Sequence, residues 1–209
     1  DQDATGGDDF MGSGFTNHDG YYSITVDSND GDGTGDPDIY VHFTLENGRV
    51  RVYEPTSGTN YKYGTGDTTH FSGTLLDLGT LQPADPDLQP SVFMHTNASR
   101  AWVHDSILGY DVTACRVEWP SAAWPNCSPD GRIQMRNDFS WRDGVLWHEY
   151  GHWYDHELAS WEPWDYCNGV CDASPTDCGH CFWCQEDQTI AWLEGWAQFH
   201  GIAVSSWFP

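Results

Sequence analysis

Along the first eighty residues, apolar and polar positions alternate in short runs. Gly20-Tyr-Tyr-Ser-Ile-Thr-Val26, Asp38-Ile-Tyr-Val-His-Phe-Thr-Leu45 and Arg49-Val-Arg-Val-Tyr53 are rich in β-branched and aromatic residues and read as strands. Glu46-Asn47-Gly48 supplies a tight hairpin turn between the last two. A small antiparallel β-sandwich over residues 1–82 is the expectation. Three prolines in Gln82–Pro90 then mark a linker at 83–90. Beyond it the period lengthens. Ser91 to Leu108 has helical spacing, Thr113–Glu118 and Arg132–Arg136 read as strands, and two apolar segments, Asp143–Tyr154 and Ile190–His200, read as helices. The fold class expected is therefore α+β, with a second domain over 91–209 that carries a mixed sheet and two helices.

Composition supports a folded chain, because 12 Trp, 10 Tyr and 9 Phe supply a core that disordered sequences lack. The charge is lopsided, with 32 acidic against 8 basic residues and a net charge of −24. Phosphate backbones and anionic membranes need basic surface, so neither nucleic acid nor membrane is an expected partner. An acidic, lysine-poor surface suits a saline or calcium-containing exterior, where salt screens self-repulsion. No run approaches the ~20 apolar residues of a membrane span. A start at Asp1, with no signal-like segment, reads as a processed chain or as a piece of a longer one, incomplete at its C-terminus.

The chemistry lies in His148-Glu149-Tyr150-Gly151-His152. Four residues advance a helix slightly beyond one turn, so both imidazoles face one side and can share a metal ion, with Glu149 beside them. No proline interrupts the segment, and Ser140 or Asp143 is available as N-cap. A catalytic zinc takes three protein ligands and leaves one position open. His156 lies too far along the helix to converge with the other two, and Leu158 occupies the place where a longer motif would put a third histidine. Glu194 is the remaining candidate, a carboxylate in the apolar segment Ile190–His200 that needs a partner if buried.

Together, His148-Glu149-x-x-His152 and Glu194-Gly-Trp-Ala-Gln-Phe199 resemble the gluzincin metallopeptidases, the thermolysin- and fungalysin-like clan. The resemblance covers about residues 130 to 200. It implies a zincin-like domain in which His148, His152 and Glu194 bind zinc and Glu149 is the general base. It also implies a substrate-pairing edge strand just before the zinc helix, at Ile133–Arg136. This chain departs from the clan in two places: Glu194 follows His152 by 42 residues, a long spacing, and Gln198 stands where an Asp often orients the first histidine. The oxyanion stabiliser has no assigned motif, with Tyr154 and His200 available. The N-terminal strands resemble transthyretin-like or carboxypeptidase-regulatory-like modules.

Five of the 7 cysteines crowd into an insertion at 167–184, where disulfides or a zinc knuckle with His180 would order the long spacer. Disulfides are the expected choice in a secreted chain. Cys115 and Cys127 flank a Trp/Pro-rich loop and form a further candidate pair. Asp27–Asp38 reads either as a solvated Gly/Asp turn or as a calcium site. Asn97-Ala-Ser99 and Asn126-Cys-Ser128 match the glycosylation sequon. Around the motif, Trp147, Trp153, Trp161, Trp164, Trp183, Trp192 and Trp196 supply core and cleft lining. The sequence reads as a secreted zinc peptidase acting on protein or peptide substrates. The alternative is a non-enzymatic extracellular structural or adhesive protein that keeps the zinc scaffold for stability.

Overall fold

The computed structural model describes residues 10–17, 20–26, 37–66, 71–110, 112–128, 130–159 and 188–208. The chain divides into two units, residues 1–44 with 62–86 and residues 45–61 with 87–209. The Asp27–Asp38 loop, save its last two residues, and the cysteine-rich insertion at 167–184 lie outside the described residues.

In the first unit, strands β1 (His42–Thr44) and β3 (Lys62–Gly64) pair antiparallel. Phe43 faces Tyr63 across the ladder with rings stacked at 5.0 Å, and Tyr22 meets Phe43 edge-on at 5.1 Å. The expected strand at 20–26 does not form. It lies alongside residues 12–14 and is held at its tip by local bonds, Asn17 N–H to Tyr21 O and Gly20 N–H to Asn17 O, without a ladder. The described part of this unit is thus a two-stranded sheet and not a sandwich.

The second unit is built on a four-stranded mixed sheet. Its strands are β2 (Val50–Tyr53), β4 (Cys115–Ser121), β5 (Asn126–Cys127) and β6 (Arg132–Arg136), in the order β2-β4-β6-β5. The first three neighbours run parallel, and β5 is antiparallel at the edge. The second hairpin strand of the sequence reading therefore belongs to this sheet, not to an N-terminal module. Its turn is as expected: Gly48 has φ 78°, and Asn47 Oδ1 accepts the N–H groups of Arg49 and Val50. Parallel strands need a crossover, and helix α1 (Gln89–Ile107) supplies it between β2 and β4. Met94, Ala98, Ala101 and Asp105 form its buried stripe. Val52, Val117 and Ile133 lie in register across three strands, all fully buried.

Two more helices complete the unit, α2 (Asp143–Ala159) and α3 (Gln188–Trp207), packed on each other, with α2 also against α1 and the sheet. Among the described residues the fold is α+β, with three α-helices, one antiparallel sheet and one mixed sheet.

Two expectations about covalent chemistry change here. Cys115 and Cys127 are buried free thiols on β4 and β5, and β6 runs between those strands, so they do not form the expected pair. Asn97 is buried in α1 and donates to the Phe93 carbonyl, which closes that sequon to a glycan. The partly exposed Asn126 remains accessible on β5.

Candidate metal centre

Asp143 opens α2, where a carboxylate complements the helix dipole, and accepts the Gly144 N–H at 2.7 Å. Leu146, Tyr150 and Trp153 anchor the helix in the core. That stripe fixes its rotation and leaves His148 and His152 on the flank toward α3. Their rings meet edge-on with centroids 4.7 Å apart, and their Nε2 atoms are 3.2 Å apart.

Glu194 comes from α3 to close the set. Its Oε2 lies 3.1 Å from His148 Nε2 and its Oε1 3.5 Å from His152 Nε2. A tetrahedral ion with bonds of about 2.0–2.1 Å separates its ligand atoms by roughly 3.3 Å. The three observed separations fall around that value. The donor set, two imidazoles and a carboxylate, also suits zinc. All three side chains keep some solvent exposure, between 17 and 23%, so the site opens outward.

Small residues let α3 approach this closely. A Cβ on Gly151 would stand 2.9 Å from the Ala197 Cα and 3.2 Å from the Ala197 carbonyl, while one on Gly201 would meet the His148 N at an ordinary 3.5 Å. Gly151, an unconstrained position of the His-Glu-x-x-His pattern, is thus set by helix packing in this chain. Burial opposes a proton on His152. The hydrogen bond to Glu194 and the charges of Glu149, Glu194 and Asp155 outweigh it, and its pKa lies above the ordinary histidine value. Glu149 is 8% exposed, and its charge also reaches the Cys127 thiol, whose pKa is pushed up chiefly by burial.

The remaining sequence candidates fall elsewhere. His156 contacts Glu157 at 3.6 Å and does not join the set. Leu158 and Gln198 are exposed. Ile133–Arg136 is not an edge strand, because the chain turns back at Asn126–Cys127 and pairs with Gln134 and Ile133, leaving β5 as the edge. Tyr154 and His200 are buried in the core, where their rings pack on each other at 5.5 Å and His200 pairs with Asp105. Trp147 and Trp153 are buried, and Trp192 is exposed. Trp161, Trp164, Trp183 and His180 lie outside the described residues.

Comparison with known protein families, curated proteins and solved structures finds no match to this chain.

Proposed function

We propose that this chain is a zinc-dependent hydrolase of peptide bonds, built on the gluzincin plan. The carrying observation is the convergence of His148, His152 and Glu194 at separations of 3.1–3.5 Å, with Glu149 on the adjoining helical position. A zinc ion held by those three side chains would polarise a carbonyl and lower the pKa of a coordinated water toward neutrality. Glu149 accepts the proton of the attacking water at its carboxylate and returns it to the leaving nitrogen. Glu149 is buried and adjoins His148 on the same helical turn, which keeps its carboxylate beside the ligand set. His148 and His152 are presented by one rigid helix turn, so their geometry needs no reorganisation when substrate arrives.

A peptide or protein substrate fits an outward-opening site, and β5 is the edge of the sheet among the described residues, where an extended chain would pair. Action outside the cell is consistent with the cysteine-rich insertion and the net charge of −24. Among the described residues no helix is long and apolar enough to cross a membrane.

Metal removal tests this assignment. Chelation is expected to abolish peptide hydrolysis, with activity restored by added zinc, and Glu194→Gln is expected to lose the ion under dialysis that leaves wild type loaded. Hydrolysis that survives complete metal removal contradicts the proposal. A second reading, an extracellular scaffold that keeps its metal for stability alone, is favoured by the withdrawal of Tyr154 and His200 into the core. It predicts a bound ion, a chelation-sensitive melting temperature and no hydrolysis.

A further inference from the structure

The interior between α1, α2 and α3 holds a second convergence of metal-ligating side chains, apart from the outward-facing centre. His104 Nδ1 lies 2.9 Å from Asp105 Oδ1, and His200 Nε2 lies 3.1 Å from both Asp105 oxygens. One ligand atom from each residue falls within 4.8 Å of the others. The three are 7, 1 and 4% exposed. His104 and Asp105 come from the last turns of α1, and His200 comes from α3, six residues beyond Glu194.

The second nitrogen of His200 has a backbone partner. Its Nδ1 is 3.4 Å from the Trp147 carbonyl oxygen, an atom that only accepts hydrogen bonds. When Nδ1 donates to that carbonyl, Nε2 turns its lone pair toward the two Asp105 oxygens, and an ion ligated by both would occupy the space between them. A histidine that ligates through one nitrogen and donates from the other to a backbone carbonyl is the usual arrangement of a metal-bound imidazole.

Two phenol rings pack on His200. Tyr150 stacks on the His200 ring at 5.6 Å, and Tyr154 packs on it at 5.5 Å. Both rings are buried, and both hydroxyls lack a hydrogen-bond partner among the described residues. The cluster is thus walled by aromatic rings, and neither phenol hydroxyl satisfies the His200–Asp105 pair.

We infer that His104, Asp105 and His200 form a second divalent-metal site, taking zinc or a similar ion that accepts imidazole and carboxylate ligands. The ion is structural. It pins the end of α1 to α3 and thereby holds the helix that carries Glu194. The inference stands whether or not the chain hydrolyses peptides.

Metal counting on zinc-reconstituted, dialysed full-length protein tests it, with wild type, Asp105→Asn, His148→Gln and the double variant compared. Each single variant is expected to lose one ion relative to wild type, and the double variant two. An Asp105→Asn protein that keeps the wild-type count overturns the inference, and leaves a proton as the species between His200 and Asp105. Should Asp105→Asn fail to fold, cobalt-loaded His148→Gln decides. Weak visible bands without thiolate charge transfer must remain, and their absence overturns the site. Loss in Asp105→Asn with no loss in His148→Gln supports the interior site and removes the metal centre proposed for hydrolysis.

Discussion

At the scale of single residues, the candidate metal centre was legible because its residues are written as neighbours. His148, Glu149 and His152 lie within one helical turn, and helix geometry alone places the two imidazoles together. Glu194 was legible for a different reason, as a carboxylate in an apolar helix that needed a counterpart. The interior cluster gave no such signal. His104 and Asp105 are adjacent, but His200 is 95 positions from Asp105, and only the packing of α3 against α1 brings them together. Another single residue carries a pH prediction. Burial lowers His95 to about 4 from an ordinary 6.5, against a weaker opposing hydrogen bond to the Val50 backbone. Between those two values the unfolded chain binds more protons than the folded one, so this residue's contribution is intact above pH 6.5 and is lost as pH falls toward 4. His95→Gln is expected to flatten the decline of melting temperature across that window. An unchanged slope would show that His95 is protonated at no cost in the fold.

At the scale of elements, the helices followed their apolar period, and the strands followed their hairpins only in part. Val50–Tyr53 turns back on Leu45 and Glu46 as its hairpin predicts, with Val52 N–H donating to Leu45 O and an antiparallel bridge between Glu46 and Arg51, yet its ladder partner is Cys115–Glu118, parallel and more than sixty residues away. Nothing local in a strand's sequence names a distant parallel partner, whereas a hairpin turn names an adjacent one. Ile133–Arg136 was expected at an edge from the resemblance alone, and the two-residue strand that covers it is too short to show a period. The helix pair α2 and α3 is where element packing becomes function. Gly151 admits the Ala197 backbone, and overpacking at such a contact costs about 1–3 kcal/mol. Gly151→Ala is therefore expected to lower stability by that amount and to weaken zinc affinity, as Glu194 is pushed from the two imidazoles. Denaturant melts with zinc titration check this, and a variant with wild-type affinity would show that α3 is not held by this contact.

At the scale of the whole molecule, the charge dominates. A net charge of −24 on 209 residues opposes compaction through self-repulsion, and salt screens it over a Debye length that shrinks from about 30 Å at 0.01 M to about 3 Å at 1 M. The melting temperature is expected to rise steadily with sodium chloride over that range, at fixed zinc. A salt-independent melt would mean that the acidic residues are already neutralised by partners or ions. The same charge was legible from composition. The division of the chain was not, because residues 45–61 join the sheet of the second unit across what reads as an N-terminal module.

All of these scales meet at Glu149, to which the proposed function gives a role in hydrolysis and none in holding the metal. Glu149→Gln preserves the side chain's size and removes its capacity to accept a proton. Zinc content and peptide hydrolysis, measured together on wild type and this variant, test the account most directly. The prediction is full zinc occupancy with hydrolysis reduced on the order of 10²–10⁴-fold. A loaded variant that cleaves peptide at the wild-type rate would contradict it.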